Sequence, residues 1–431
     1  MISALSDLLG SVVTPVMLCL AAVILLPHVK PGKILAPRRF FRTLGELGAS
    51  PFRALSVALA GTLGVGNITG VASALIAGGP GAVFWMWAGA FLVLGVKYAE
   101  VNLALRYRLP SGKGWVGGAM YYIRDGIGTK SAAVCGVAFA VLCCLNSLIT
   151  GNIVQSNAAA CVFDGNSRLI CGAVLAALTG LAILSGTHRI ERITSSLIPP
   201  LTLVYIAVTV WILCRNATLL PGLFGDIIVS AFSSRAVSGA AVGFGVREAF
   251  RFGIMRGIFS NEAGCGTSPT AHASAETKSP HHQATLGMVE VIFDTLILCT
   301  LTALVLLIAD RKFGVIPWKC DADAAPVTLD AFRLLGGDTV HTILQISVLL
   351  FAFSTIIAQI FYGTSAVMYL SRARLPRILY AALSVLCAFF GSVISSPVMW
   401  LLADGIIGIM TAVNCAVLIL LRRRIVPPED G

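Results

Sequence analysis

The sequence predicts an all-α polytopic membrane protein with about 11 transmembrane helices. Of its 431 residues, 57% are hydrophobic and only 12% are charged. A soluble domain carries about twice that charged fraction. Apolar stretches of about 20 residues, the length that crosses a hydrocarbon core of about 30 Å, recur along the chain. Basic residues collect in alternate loops between these stretches, which is the pattern that orients helices in a bilayer.

The apolar stretches define the predicted helices in order. They lie at about 12–28, 52–77, 81–104, 132–162, 168–186, 194–213, 238–260, 284–309, 340–369, 377–395 and 398–421. We interpret the first as a retained helix, because it lacks a small-residue cleavage site and basic residues follow it instead of preceding it. The seventh is the weakest, since it contains Arg247, Glu248, Arg251 and Arg256.

The distribution of charge predicts the orientation. Basic residues follow stretches one, three, five, nine and eleven, as in Arg422–Arg424 near the end of the chain. Other loops are nearly uncharged or acidic, such as the predicted loop with Asp321, Asp323, Asp330 and Asp338. The rule therefore places the N-terminus outside and the C-terminus in the cytoplasm. It also accounts for the net charge of +11 without a nucleic-acid partner. We expect the membrane to be the cytoplasmic membrane.

The second stretch is interrupted at residues 61–70, which read GTLGVGNITG. A break in a spanning helix is tolerated where its free backbone groups face a cavity or a ligand. The Val65 and Gly66 amides could bind a carboxylate, and Asn67 adds a side-chain oxygen. Carbonyl groups near Ala60, Thr62 and Leu63 could coordinate a dehydrated cation. The alternative is a helix-packing face of small residues that includes Gly64.

The seventh stretch ends in a second interruption, from Phe259 to Pro269, which contains Ser260, Asn261 and Glu262. The alternative is an ordinary loop that caps the next helix. With the first helix set aside, ten remain, and each group of five begins with a broken helix. Such a pair predicts an inverted repeat with a binding site near the membrane midplane. The predicted divisions are 1–50 for the extra helix and basic loop, 51–215 for the first repeat and 216–431 for the second.

Polar residues inside other stretches are further candidates. Ser354 and Thr355 could complete an oxygen shell for sodium, or could bond only to their own helix. An ionisable residue within a membrane span is a functional candidate by default, which applies to Asp294. It could bind a coupling ion or the ammonium group of a substrate, or pair with Arg247. The group of Lys97, Glu100 and Arg106 is interpreted as a structural cluster at the membrane interface.

The chain resembles the alanine-or-glycine:cation symporter family across almost its whole length. The stretches that carry the resemblance are Gly64–Gly70, Gly78–Trp87, Lys97–Arg108, Met120–Ile123, Arg256–Ala275 (RGIFSNEAGCGTSPTAHASA), Phe293–Thr295 and Phe353–Thr355. The resemblance implies the inverted-repeat fold of leucine-transporter-type proteins and sodium-coupled uptake of small amino acids. It further implies a sodium site at Ala60, Leu63, Ser354 and Thr355. Asp294, as an ionisable residue inside a span, is a separate candidate for binding a coupling ion. The substrate-binding candidates are Thr62, Gly64, Val65, Gly66, Asn67, Asn261 and Gln359.

The chain also departs from the family pattern. Ala358-Gln359 stands where the family usually has Gly-Trp, Thr364 where it has Glu, and Ala119 where it has Pro. Because Gln359 stands where the family has a large aromatic residue, we predict a roomier and more polar substrate pocket. The alternative is that Gln359 faces a neighbouring helix and that an aromatic residue such as Phe351 closes the pocket.

The function expected from the sequence is therefore a sodium-coupled importer of small neutral amino acids. The partners are an amino acid, sodium and the lipid bilayer, and no cofactor or enzymatic activity is expected. Proton coupling through Asp294 is one alternative, and a membrane amino-acid sensor that does not transport is another.

Overall fold

The computed structural model describes residues 12–45, 48–112, 114–163, 165, 167–184, 187–233, 245–277, 279–320, 323–394 and 396–426. These residues are mostly helical, which confirms the predicted class. The described strands are β1 (Leu109–Ser111) and β2 (Gly114–Val116), an antiparallel pair in which Pro110 lies opposite Trp115.

The helices of the first part are α1 (Thr14–Val29), α2 (Pro31–Ile34), α3 (Pro37–Gly45), α4 (Ala49–Thr62), α5 (Thr69–Gly78), α6 (Gly81–Arg106), α7 (Ala119–Tyr121), α8 (Lys130–Ala160), α9 (Ser167–Leu184), α10 (Thr187–Arg215) and α11 (Leu220–Phe232). Those of the second part are α12 (Val246–Asn261), α13 (Pro269–Ala273), α14 (Pro280–Phe313), α15 (Ala324–Leu370), α16 (Arg374–Gly391) and α17 (Ser396–Leu420). Short 3-10 turns lie at Val65–Asn67, Ala217–Leu219 and Arg422–Arg424, and π-helical turns at Tyr122–Gly126, Ser147–Val154 and Ile292–Cys299.

Eight described helices are long and apolar enough to cross a membrane. They are α6, α8, α9, α10, α14, α15, α16 and α17, and each overlaps one predicted stretch. The other three stretches contain the shorter α1, the pair α4 and α5 around the first break, and α12. Part of the seventh stretch, residues 238–244, lies outside the described residues. The count of eleven spans and the inverted repeat remain predictions.

The predicted acidic loop before the ninth span is partly helical. α15 begins at Ala324, well before the predicted span, and Gly337 (φ 79°, ψ −175°) interrupts its helical geometry. The segment before this kink buries Thr328, Leu329 and Phe332, which recur at helical spacing. The hydroxyl of Thr328 lies 3.5 Å from the carbonyl oxygen of Ile68. The segment therefore has an apolar face that covers the first break, and its acidic residues did not indicate this face in the sequence.

The core of the described structure surrounds the broken helices. α6 packs against α12 and α14, α5 packs against α12, and α15 packs against α4, α5 and α8. The close approach of α4 to α15 requires a glycine at Gly61, because a Cβ there would lie 2.4 Å from the hydroxyl oxygen of Tyr362. The two breaks are thus enclosed by helices from both parts of the chain.

Candidate functional site

The first break is a local change of backbone geometry at Leu63 and Gly64. α4 ends at Thr62, Gly64 is extended (φ −123°, ψ −153°), and one 3-10 turn, Val65–Asn67, leads towards α5. A Cβ on Gly64 would lie 2.5 Å from Oγ1 of Thr355 and 2.8 Å from Oε1 of Gln155. Glycine is needed here for close approach, because two polar side chains occupy the space of a larger residue.

One backbone amide of the break points at a polar side chain. The Val65 N–H donates to Oε1 of Gln155 on α8 at 3.1 Å. The position predicted for a substrate carboxylate is therefore occupied by a neutral acceptor, the side-chain oxygen of Gln155. A bound carboxylate would take the place of this oxygen. Gly66 is also buried, and a Cβ there would meet Phe259 and Ser260 at 3.4 Å. The hydroxyl of Thr62 bonds only its own helix, to the carbonyl oxygens of Ala58 and Leu59.

The predicted cation ligands lie where α15 crosses the end of α4. The hydroxyl of Thr355 donates to the carbonyl oxygen of Ala60 at 2.8 Å. That of Ser354 donates to Phe351 in its own helix. Ala60, Leu63, Ser354 and Thr355 are all at most 1% exposed. Of the four predicted cation ligands, Thr355 and Ala60 are thus in direct hydrogen-bond contact.

Asp294 connects the two breaks. One carboxylate oxygen accepts from Nδ2 of Asn67 at 2.7 Å, and the other accepts from the hydroxyls of Ser260 and Thr295, both at 2.8 Å. Asn261 donates to the hydroxyl of Thr295 at 3.0 Å. Asp294 belongs to the π-helical turn Ile292–Cys299 and is fully buried. Such turns occur often at functional sites.

The alternative in which Asp294 pairs with Arg247 is wrong. Arg247 is exposed in the first turn of α12, whereas Asp294 lies in the interior among neutral hydrogen-bond donors. Oδ1 of Asn67 has no hydrogen-bond partner among the described residues, although Asn67 is only 3% exposed. An unpaired buried oxygen beside a carboxylate is a ready ligand for a cation.

The second break lies against buried carboxylates whose burial the sequence analysis did not predict. α12 ends at Asn261, and the chain turns at Glu262 (φ 52°), Gly264 (φ 88°) and Gly266 (φ 76°). The carboxylate of Glu100 accepts from the amides of Gly264 at 3.1 Å and Gly266 at 2.9 Å. Nδ2 of Asn414 donates to the same carboxylate at 2.5 Å.

Lys97 holds the end of α12. Its ammonium group donates to the Asn261 carbonyl oxygen and a Glu290 carboxylate oxygen, both at 3.0 Å, and to the Ser268 hydroxyl at 2.5 Å. Lys97, like Glu100, is fully buried within the protein. The position of the cluster at the membrane interface stays a prediction. Arg106 is exposed and donates to the Arg424 carbonyl oxygen. The sequence signal that could have indicated this burial is the presence of a lysine and a glutamate within the otherwise apolar α6.

Gln359 faces the second break. Its Nε2 donates to Oε1 of Glu262, whereas its own Oε1 has no partner among the described residues. A Cβ on Gly151 of α8 would lie 2.4 Å from Cβ of Gln359, so that glycine makes room for the side chain. The ring of Phe351 packs edge-on against Tyr205. Gln359 therefore contributes an unpaired acceptor beside the breaks.

The other two departures from the family pattern are Ala119 and Thr364. Ala119 is buried at the start of α7, where a Cβ on Gly266 would lie 2.9 Å from its own Cβ. Thr364 is partly buried on α15. A small residue at position 119 is thus packed directly against the backbone of the second break.

Comparison with known proteins identifies the family of the chain. The family model described as the sodium:alanine symporter family matches residues 2–427. The sodium/alanine symporter AgcS of Methanococcus maripaludis is 39% identical over 380 residues, which cover 86% of this chain and 82% of AgcS. The probable sodium/glutamine symporter GlnT of Bacillus subtilis is 34% identical over 377 residues, covering 87% and 76% respectively.

A solved structure shows a related fold. It is that of Mhp1, a nucleobase-cation-symport-1 family transporter, in a closed conformation with bromovinylhydantoin bound. The match covers 83% of this chain and 73% of Mhp1, with 14% identity and a TM-score of 0.50. The chain is thus a multi-pass membrane transporter and not an enzyme, and it belongs to the sodium:alanine symporter family.

Proposed function

We propose that the protein imports a small neutral amino acid together with sodium by alternating access. The observation that carries this proposal is the contact between Thr355 and the Ala60 carbonyl oxygen, beside a break whose Val65 amide points at a polar group. In this proposal the protein lies in the cytoplasmic membrane, and the basic loops predict that its N-terminus is outside and its C-terminus inside. The proposed divisions are the extra helix with its basic loop (1–50) and two inverted five-helix repeats (51–215 and 216–431).

The proposed sodium site uses oxygen ligands from two helices. The Ala60 and Leu63 carbonyl oxygens come from the end of α4, and the Ser354 and Thr355 hydroxyls from α15. Sodium entry would replace the Thr355–Ala60 hydrogen bond with two ion–oxygen contacts and would fix α4 against α15. A ligand shifts a conformational equilibrium only through its different affinities for the two states. Sodium bound across α4 and α15 favours the state in which these helices are close.

The proposed substrate site lies beside it, among Thr62, Gly64, Val65, Gly66, Asn67, Asn261 and Gln359. The substrate carboxylate would bind the Val65 and Gly66 amides in place of Oε1 of Gln155. The unpaired Oε1 of Gln359 would accept a hydrogen bond from a polar substrate group. This favours substrates such as serine, threonine or glutamine in addition to alanine and glycine.

Counterflow of radiolabelled alanine in proteoliposomes tests the proposal. Vesicles loaded with unlabelled alanine should accumulate labelled alanine transiently when sodium is present on both sides, and much less without sodium. A sensor that does not transport would bind alanine without counterflow. Equal counterflow in the absence of sodium would contradict sodium dependence.

Asp294 distinguishes sodium from proton coupling. Replacing it by Asn removes a negative charge and presents an amide donor to the three groups that now donate to the carboxylate. If Asp294 binds sodium, Asp294→Asn should weaken the apparent sodium affinity by about tenfold or more at every pH, as expected for losing a charged ligand. Sodium titration of alanine uptake at several pH values measures this. If Asp294 carries the coupling proton, the variant loses pH dependence instead and keeps its sodium affinity.

Gln359 should set the substrate range. A Trp at this position would fill the pocket wall with rigid apolar surface and remove the unpaired acceptor. Gln359→Trp should therefore narrow the amino acids that compete with alanine uptake to alanine and glycine. Gln359→Leu is the control, because it removes the polar group at similar size. If wild type is inhibited by alanine and glycine alone and both variants match it, Gln359 lies outside the substrate shell.

A further inference from the structure

A cavity of about 400 Å³ lies at one end of the helix bundle. It is bounded by the hairpin of β1 and β2, by α7 with the turn that follows it, and by the junction of α15 and α16. Pockets that hold small ligands have volumes of about 300–1,000 Å³, so this cavity is large enough to bind a ligand. None of its lining residues belongs to the proposed sodium or substrate site.

Three arginines line this cavity, namely Arg124, Arg372 and Arg377, and its other lining residues are uncharged. Asp125 pairs with Arg124 through two hydrogen bonds, at 2.7 Å and 2.8 Å. Three guanidinium groups and one carboxylate give a formal charge of +2. Because a cleft lined by one sign of charge concentrates ions of the opposite sign, this cavity attracts anions.

Two of the arginines are held in place by their surroundings. The guanidinium carbon of Arg124 lies 5.1 Å from the ring centre of Tyr369 and 5.7 Å from that of Tyr121, and the two rings pack edge to face. Arg377 donates from Nε and Nη2 to two backbone carbonyl oxygens just before α16, both at 3.2 Å. Its Nη1 takes part in neither bond. Groups that are already fixed lose less entropy when a ligand binds.

Arg372 is the exposed member of the three and lies between α15 and α16. Its guanidinium group donates no hydrogen bond to any of the described residues. A guanidinium group in this state can bind two oxygen atoms of one phosphate group through parallel N–H donors. The hydroxyl of Ser111, which also lines the cavity, is a further donor. The cavity therefore combines positive charge with the donors that recognise phosphate.

Apolar side chains lie beside these charges. Leu109, Val116 and Met368 line the cavity, and Leu375 and Ile378 near the start of α16 are 63% and 62% exposed. The long apolar helices α6 and α15 end here and α16 begins here, so the cavity lies where lipid headgroups meet the hydrocarbon core. The basic loops predict that this side is cytoplasmic, the side on which basic pockets between helices bind anionic headgroups.

We propose that this cavity binds a phosphate group, supplied by the headgroup of an anionic phospholipid or by a free phosphate compound. The orientation of the helices requires basic residues in these loops, but it does not require three of them to line one cavity. A bound phosphate would connect the turn after α7 to the junction of α15 and α16 through Arg124, Arg372 and Arg377. The proposal does not depend on which ion or amino acid the protein transports.

Ligand binding to the delipidated full-length protein in an uncharged detergent tests the proposal. The protein is titrated with dioleoylphosphatidylglycerol, and bound ligand is counted by native mass spectrometry. Dioleoylglycerol has the same chains without the phosphate group, and glycerol 3-phosphate has the phosphate group without the chains. A saturable site for phosphatidylglycerol, with weak binding of the other two compounds, assigns the cavity to a lipid headgroup. Binding of glycerol 3-phosphate with similar affinity assigns it to a free phosphate compound.

Arg372→Gln should weaken binding of the phosphate ligand about fivefold or more, as expected for losing one basic residue beside a phosphate. Arg374→Gln is the matched control and should bind as wild type, because Arg374 is an exposed arginine two positions away that does not line the cavity. Ser111→Trp keeps every arginine but fills the cavity with a large ring, so it should also weaken binding. Size-exclusion chromatography shows whether each variant folds.

Equal weakening by Arg372→Gln and Arg374→Gln would indicate a diffuse effect of charge and overturn the proposal. Equal binding of phosphatidylglycerol and dioleoylglycerol would also overturn it, since the chains alone would then account for the binding. So would a wild-type protein with no saturable site for either phosphate ligand, a result that does not depend on the folding of a variant. Failure of alanine counterflow would instead contradict the proposed function and leave this result standing.

Discussion

Gly64→Ala should abolish or severely weaken sodium-dependent alanine uptake while leaving the protein in the membrane. The backbone angles at Gly64 are accessible to alanine, so the effect arises from contact and not from strain in the chain. The added Cβ would lie 2.5 Å from Oγ1 of Thr355 and 2.8 Å from Oε1 of Gln155. Overpacking of this kind costs about 1–3 kcal/mol. Both side chains must move away from the proposed sodium and carboxylate positions.

Gly70→Ala is the matched control. It lies six residues further along, on α5, and a Cβ there would meet no atom within 4 Å. Uptake kinetics should therefore match wild type for Gly70→Ala, and size-exclusion chromatography should show that both variants fold. Normal uptake by a well-folded Gly64→Ala protein would contradict the placement of the site at the first break.

Thr355→Val should raise the sodium concentration that gives half-maximal uptake by about five- to hundredfold. Valine has nearly the same shape as threonine but lacks the hydroxyl that donates to the Ala60 carbonyl oxygen. Losing one buried polar partner costs about 1–3 kcal/mol. The substrate concentration for half-maximal uptake, measured at saturating sodium, should change much less. Sodium titration of initial uptake rates separates the two effects.

Two controls accompany this variant. Thr355→Ser keeps the hydroxyl and should restore most of the sodium affinity. Ser347→Ala removes a hydroxyl from the same helix that bonds only to the Ile343 carbonyl oxygen of that helix, and it should have little effect. If sodium dependence is unchanged in Thr355→Val, the hydroxyl holds α15 to α4 without binding the ion.

The breaks could be predicted from the sequence because their signal is local. Glycines and Asn67 inside an apolar stretch are costly in a spanning helix, whatever surrounds it. Asp294 could be recognised as functional for the same reason, but its partners could not. Its neighbours Asn67 and Ser260 come from two other helices, and the side chains of an isolated stretch do not show which helix will cover them.

The buried network at Lys97 could not be predicted in the same way. Lys97 and Glu100 lie near Arg106 in the sequence, so they resemble the charged end of a spanning helix. In the structure, Lys97 bonds to Glu290, 193 positions away, and Glu100 binds the amides of Gly264 and Gly266. Similarly, the acidic residues before the ninth span did not indicate the helix that begins at Ala324 and buries Leu329 and Phe332.

The central claim is that an inward sodium gradient drives amino-acid accumulation. The most direct test is uptake of radiolabelled alanine into proteoliposomes under an imposed sodium gradient, a proton gradient or neither, with the membrane potential clamped by a potassium ionophore. The account predicts accumulation above the external concentration only when sodium is higher outside, and loss of that accumulation in Gly64→Ala. Accumulation driven equally well by a proton gradient in sodium-free buffer would contradict it.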